Sequence, residues 1–132
     1  MSIAILLITH ENLARNLLAI TSSIINSKLE NTDYLEVPMD TPVEQIQFKI
    51  DEKLANLDQN KGLLIITDIY GGTPSNIAAS FAKDKSTKLI SGVNLPMLVR
   101  IMNYRTLPLD ELIDKAIDGG QDGIAVYKHG FL

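Results

Sequence analysis

Two short runs of consecutive apolar residues, at positions 3–8 and 63–66, constrain the fold more than any other feature of this sequence. Runs of this kind, without alternating polar residues, are typical of parallel strands that helices cover on both faces. After the first run, Leu13, Leu17, Ile20 and Ile24 recur at helical spacing and predict an amphipathic helix at about residues 13–27. Strand-like and helix-like segments continue to alternate, which predicts an α/β sandwich around a mostly parallel sheet.

The number and order of these segments restrict the topology of the sheet. Right-handed crossovers leave few arrangements, and a flavodoxin-like three-layer sandwich with strand order 2-1-3-4 fits four short units best. No obvious parallel crossover precedes the last apolar segment, residues 123–127. We therefore expect an antiparallel edge strand there, formed within the chain or with a partner chain. A chain of 132 residues is expected to form one domain, residues 1–132.

Turn and capping residues predict where the helices begin and end. Thr41-Pro42-Val43-Glu44 has the form of a capping box, with Thr41 as the cap of the second helix. Thr73 followed by Pro74 predicts the start of a third helix, which should run to about residue 83. The pair Gly119-Gly120 predicts the end of the last helix.

Composition excludes several classes of protein. The chain has no cysteine, which excludes disulfides, thiolate metal sites and cysteine nucleophiles. Its formal net charge is -4 and it has no block rich in lysine or arginine, so no nucleic-acid partner is expected. The apolar N-terminal run is too short to cross a membrane and has no flanks of a signal peptide, which favours a cytoplasmic protein.

Missing motifs also argue against a cofactor. The sequence contains neither G-x-x-x-x-G-K-[ST] nor G-x-G-x-x-G, so nothing supports direct binding of ATP or a dinucleotide. The two histidines, His10 and His129, are far apart in a chain without cysteine, and we therefore expect no metal site.

Two of the apolar strands end in polar side chains. The first ends in Thr9-His10 and the third in Thr67-Asp68. In a 2-1-3-4 sheet these strands are neighbours, about 4.8 Å apart, and the direction in which strands are added to the sheet reverses between them. Chemistry in such sheets takes place outside the carboxyl ends of the strands at this switch point. A carboxylate of Asp68 that accepts the Nδ1 proton of His10 would leave Nε2 as a positioned nucleophile.

A glycine-rich turn follows Asp68 and opens the next predicted helix. Gly71 and Gly72 would let backbone N–H groups approach a ligand, and the start of the helix favours an anion, so we expect Gly71, Gly72, Thr73 and Ser75 to bind phosphate. Together with a nucleophilic imidazole, this favours phosphoryl transfer through phosphohistidine. The residues also allow other interpretations: a hydrogen-bonded structural histidine, a tight turn at the glycines, and Thr73 and Ser75 as cap and solvent-facing residues.

The same residues resemble the mannose-family IIA component of the phosphoenolpyruvate-dependent sugar phosphotransferase system. The resemblance covers nearly the whole chain and rests on Thr9-His10 and on segments 67–76 and 91–98. It implies that the histidine phosphocarrier protein phosphorylates His10 on Nε2 and that Asp68 orients the imidazole. It also implies that the hydroxyl of Thr73, where the family often has serine, lies beside the phosphoryl group.

The resemblance further implies partners. Members of the family are homodimers that exchange a C-terminal strand, for which residues 123–127 are the candidate. Because the sequence stops at Leu132, we expect a stand-alone IIA that passes phosphate to a separate IIB component. Contact with a membrane would then be indirect, through a permease, and the sugar would be selected by other subunits. Two alternatives stay open: a regulatory IIA whose phosphorylation state controls binding to another protein, and a module that binds an anionic small molecule without covalent chemistry.

Overall fold

A four-stranded parallel sheet forms the centre of the molecule in a computed structural model that describes residues 2–69 and 71–127. The strands are β1 (Ala4–His10), β2 (Thr32–Val37), β3 (Leu63–Thr67) and β4 (Thr87–Ser91). They are arranged in the order β2-β1-β3-β4, and all three neighbouring pairs are parallel. The predicted order 2-1-3-4 is therefore confirmed.

Among the described residues, five helices cover the two faces of the sheet: α1 (Leu13–Ile25), α2 (Val43–Ala55), α3 (Thr73–Ala79), α4 (Leu95–Asn103) and α5 (Leu109–Asp122). Alternate residues of β1 point to opposite faces, since side chains along a strand have a period of two. Ile5 and Leu7 belong to the core that packs against α1, α4 and α5, whereas Leu6 and Ile8 belong to the core against α2 and α3. These two cores explain why the strand is apolar without interruption.

The parallel register brings the carboxyl ends of the strands to one edge of the sheet. Ile8 is the partner of Thr67, and Thr67 is in turn the partner of Ser91. On the other side of β1, His10 is the partner of Val37. The residues that end β1, β3 and β4 therefore lie together with the loops that follow them.

Two predicted helix starts differ from the structure. Helix α2 begins at Val43 with Pro42 in the N-cap position, and no side chain caps it. The hydroxyl of Thr41 donates instead to the carbonyl of Pro38 at 2.7 Å, so the predicted capping box is wrong. Helix α3 has Gly72, not Thr73, as its N-cap and ends at Ala79, well before the predicted residue 83.

The glycine pair near the end of the last helix has a different role from the one predicted. Helix α5 continues through Gly119 and Gly120 to Asp122. A Cβ atom at Gly119 would lie 2.5 Å from Cβ of Arg100, and one at Gly120 would lie 3.2 Å from Cε of Met97. The missing side chains thus allow α5 to pack closely on α4, and the predicted helix end at these residues is wrong.

The C-terminal apolar segment contributes no strand to the sheet of its own chain. Within the described residues, positions 124–127 have neither helical nor strand conformation, and Ile124 and Val126 are 80% and 87% exposed. An intrachain edge strand is therefore absent from this part of the structure, while exchange with a second subunit stays a prediction. Across the two described ranges, no helix has the length and apolar character needed to cross a membrane.

Candidate phosphoryl-transfer site

Strands β1 and β3 place His10 and Asp68 side by side. His10 is the last residue of β1, and Asp68 directly follows β3. Both strands are buried along their length, so the first solvent-accessible positions are the ones at their carboxyl ends. The imidazole of His10 is 28% exposed, whereas the carboxylate of Asp68 behind it is 9% exposed. The histidine therefore faces solvent and the aspartate supports it from within.

One carboxylate oxygen of Asp68 holds His10 at two points. Oδ2 accepts from the backbone N–H of His10 at 2.9 Å and lies 2.9 Å from its Nδ1. The other oxygen, Oδ1, accepts from the backbone N–H of Ile69 at 2.9 Å. Since an ionised carboxylate only accepts hydrogen bonds, Nδ1 carries the ring proton and Nε2 of the neutral imidazole has a free lone pair.

The surroundings of Asp68 keep it ionised. Burial by itself would raise the pKa of Asp68, but the hydrogen bonds from the backbone and ring of His10 and from the Ile69 N–H together lower the pKa below its ordinary value. The carboxylate of Asp68 accordingly accepts the hydrogen bond of the imidazole Nδ1–H. This arrangement also stabilises positive charge on the ring when Nε2 forms a bond.

The glycine turn lies directly against the imidazole. Gly71 has a φ of +82°, a conformation that residues with side chains rarely adopt. A Cβ atom at Gly72 would lie 3.1 Å from Cε1 of His10, so the backbone of the turn approaches the ring closely. The side-chain amide of Asn76 donates to the carbonyl of Gly71 at 3.2 Å, and the backbone N–H of Asn76 donates to the carbonyl of Gly72 at 2.9 Å. Tyr70, between Ile69 and the glycines, lies outside the described residues.

A cleft of about 220 Å³ opens beside the imidazole. His10 and Thr73 lie on two sides of it, and the remaining walls come from the end of β2 and the loop that follows: Val37, Pro38, Met39, Asp40 and Thr41. No described group of three or more His, Cys, Asp or Glu side chains is arranged to hold a metal ion. The residues that line the cleft thus include one imidazole, two threonines and the carboxylate of Asp40.

Comparison with known protein families found a match along most of the chain. The profile of the family described as PTS system fructose IIA component (EIIA-man) matches residues 4–117. The chain belongs to the mannose-type IIA family of the phosphotransferase system. Members of this family are phosphotransferase proteins, and the resemblance seen in the sequence is confirmed.

Relatives of this IIA chain include proteins from several bacteria. The PTS system mannose-specific EIIAB component of Escherichia coli K12 is 34% identical over 131 residues, which cover 97% of this chain and 40% of that protein. The PTS system fructose-specific EIIA component of Bacillus subtilis is 36% identical over 74 residues, 54% of this chain and 51% of that protein. The crystal structure of phosphotransferase system component EIIA from Streptococcus agalactiae superposes with a TM-score of 0.82 at 26% identity, covering 94% of this chain and 96% of that one.

Gly71 does not line the cleft beside His10, and neither does Ser75, the other predicted phosphate-binding residue of this IIA chain that lines a different pocket. Its side chain is buried, and its hydroxyl lies 2.9 Å from the hydroxyl of Ser91. Gly72 and Thr73, by contrast, both lie beside His10. The hydroxyl of Ser75 therefore interacts with the end of β4 and does not point to the imidazole.

The sequence did not reveal the loop that closes the other side of the cleft. Glu11 has a φ of +45°, and its carboxylate accepts from the backbone N–H of Met39 at 3.0 Å. The N–H of Glu11 donates to the carbonyl of Val37 at 3.1 Å. These bonds tie the residue after His10 to the loop after β2. The predicted strand order could have indicated this loop, because β2 is a neighbour of β1 and the loop after β2 therefore lies at the same edge of the sheet as His10.

Proposed function

We propose that Nε2 of His10 accepts a phosphoryl group from the phosphorylated histidine phosphocarrier protein and passes it to a IIB component. The observation that supports this best is the 2.9 Å contact between Asp68 Oδ2 and His10 Nδ1, because it directs the lone pair of Nε2 toward solvent. In the first step the bond between phosphorus and the donor imidazole breaks, and the bond between phosphorus and Nε2 forms. The proton on Nδ1 stays in its hydrogen bond to Asp68, whose charge balances the phosphorylated ring.

The glycine turn is proposed to hold the transferred group. Gly71 and Gly72 directly precede Thr73, the first residue of α3. Backbone N–H groups at a helix start have no partners within the helix, although that of Gly72 donates to the carbonyl of Ile69 at 3.3 Å. Thr73 lines the cleft and can add a hydroxyl donor. No lysine or arginine is among the described residues that line this cleft, so neutral donors would stabilise the charge. Such a site suits a group that must leave again.

The partners follow from family membership and from the exposed C-terminal segment. The phosphoryl donor would be the histidine phosphocarrier protein and the acceptor a IIB component, as the resemblance implies. Phosphoryl transfer between them would take place in the cytoplasm. We also propose a homodimer in which residues 123–127 of each chain pair with the sheet of the other. Exposure of Ile124 and Val126 supports this, as does the position of β4 at the outer end of the sheet order.

Phosphorylation in a reconstituted system tests the proposal. Incubation with phosphoenolpyruvate, enzyme I and the histidine phosphocarrier protein should add one acid-labile phosphoryl group, detected by intact-protein mass spectrometry. The variant His10→Ala should take up none while its circular dichroism spectrum is unchanged. His129→Ala is the matched control and should be phosphorylated normally, because His129 is the other histidine of the sequence.

Two outcomes would count against this assignment. Uptake of phosphate by His10→Ala to the wild-type extent would show that His10 is not the acceptor. Phosphorylated wild-type protein that transfers nothing to the IIB components of its own cell would favour the regulatory alternative over sugar uptake.

A further inference from the structure

Three hydroxyl groups form a continuous chain beside the glycine turn. The Oγ atom of Ser91 lies 2.9 Å from Thr67 Oγ1 and 2.9 Å from Ser75 Oγ. Thr67 and Ser75 are buried, and Ser91 between them is half-buried. Each hydroxyl comes from a different element: the end of β3, the end of β4 and the first turn of α3. Ser91 is the member that bonds to both of the others.

This chain of hydroxyl groups connects the two parts of the site that meet at His10. Thr67 directly precedes Asp68, which orients the imidazole, and its carbonyl also accepts from the N–H groups of Gly92 and Val93 at 3.0 and 3.1 Å. Ser75 lies three residues after Gly72, the glycine that packs against His10 Cε1. Within the described ranges, the bond from Ser75 to Ser91 is the side-chain hydrogen bond that joins α3 to the sheet.

Apolar packing alone would leave the position of α3 poorly defined. The helix has seven residues; its buried apolar residues are Pro74, Ile77 and Ala78, of which Ile77 and Ala78 belong to the core against the sheet. Such contacts are non-directional and permit small rotations or shifts, whereas a hydrogen bond fixes distance and direction. Because a Cβ at Gly72 would be only 3.1 Å from the ring, a shift of a few tenths of an ångström changes the contact with His10.

We infer that Ser91 is a positioning residue for phosphoryl transfer: its hydroxyl holds the first turn of α3, and with it the glycine turn, in register with His10. This inference rests on the proposed function of His10. Ser91 does not touch the reacting atoms and acts through Ser75 and the backbone of Gly72.

The variants Ser91→Ala and Ser91→Thr test this role with two independent readouts. Ser91→Ala should slow phosphorylation of His10 by at least ~10-fold, since small displacements of positioning groups are costly. It should also shift the NMR resonance of the His10 Cε1 proton, which lies against Gly72 and can be assigned with His10→Ala. Ser91→Thr keeps the hydroxyl and should restore both the rate and the resonance.

Thr21→Ala serves as the matched control. Thr21 is fully buried and its hydroxyl donates to the carbonyl of Leu17 at 2.8 Å within α1, so the variant also loses a buried hydroxyl but leaves the turn alone. It should change neither readout. A wild-type rate or an unchanged resonance in Ser91→Ala would overturn the inference. If the wild-type chain takes up no phosphate, the proposed function itself fails, a result separate from failure of Ser91.

Discussion

Asp68 accepts two hydrogen bonds from His10 through the same oxygen, one from the backbone N–H and one from the imidazole Nδ1, both at 2.9 Å. The backbone bond fixes the carboxylate relative to the end of β1, so the position of the ring does not depend on the imidazole bond alone. The bond from Ile69 to the second oxygen, also at 2.9 Å, leaves the carboxylate little freedom to rotate. The orientation of His10 is therefore set by the backbone of two neighbouring strands.

We expect Asp68→Asn to slow phosphorylation of His10 by about two to four orders of magnitude, since an amide can donate to Nδ1 and favour the wrong tautomer. The fold should be preserved because an asparagine has nearly the same shape. Rapid-quench measurement of phosphoryl transfer from the histidine phosphocarrier protein would give the rate. Asp84→Asn is a suitable control, because Asp84 is an exposed carboxylate that accepts from Ser86 away from the site. Wild-type kinetics in Asp68→Asn would contradict the orienting role.

The lowered pKa of Asp68 predicts a contribution to stability that is lost in acid. A carboxyl group whose pKa is lower in the folded protein than in the unfolded chain stabilises the fold above the unfolded value, here 3.8. This contribution disappears as the pH falls from that value through the folded pKa. Urea unfolding of wild-type protein and Asp68→Asn should therefore show a constant difference in free energy at neutral pH and a decreasing one below about pH 4. A difference that stays constant into strong acid would show that the carboxylate is not stabilised by folding.

Much of the fold could be predicted because two strands are apolar throughout. Residues 3–8 and 63–66 admit no amphipathic alternative, and their burial on both faces requires helices on either side. The sheet order follows from parallel pairing together with right-handed crossovers, and the meeting of His10 with Asp68 follows from that order. These features depend on a short-range pattern that a single sequence shows and on general rules of sheet topology.

The orientation of the first helix could not be predicted in the same way. Its buried residues are Ala14, Leu18 and Thr21, whereas Leu13 and Ile20 of the predicted stripe are 40% and 45% exposed. Helical spacing reveals the period of the pattern, but α1 has apolar residues on two faces, and the face that carries Ala14 and Leu18 packs into the core. In the sequence, the stripe that is largely exposed shows the clearer helical spacing of large apolar residues.

The direction of the Ser75 side chain depends on residues distant in the sequence. A hydroxyl in the first turn of a helix can face a ligand, the solvent or the sheet with equal local propensity. The outcome here follows from Ser91, 16 residues further along, which lies opposite Ser75 only once β4 has paired with β3. The role of the glycines of α5 could not be predicted for a similar reason, because their requirement for small size arises from the contact with α4.

The exposed C-terminal segment should pair with a second subunit. Residues 124–127 include two apolar side chains that are almost fully exposed, and β4 is an outer strand of the sheet. Mutual pairing of this segment with a second chain would cover both surfaces in a closed two-fold assembly. We expect the full chain to be a stable dimer at micromolar concentration. A chain that ends at Asp122 keeps α5 whole and should sediment as a monomer or aggregate.

Proline variants distinguish strand pairing from a merely apolar contact. Proline lacks the N–H that a ladder requires, and N–H groups of successive residues in a strand point to opposite sides. If the segment pairs as a strand, at least one of Ala125→Pro and Val126→Pro should weaken the dimer although length and apolar character are kept. Val126→Ala is the control and should retain the dimer, because it keeps the N–H. Sedimentation equilibrium of the three variants would decide. Dimers of wild-type strength in both proline variants, or in the chain that ends at Asp122, would exclude strand exchange as the main contact between subunits.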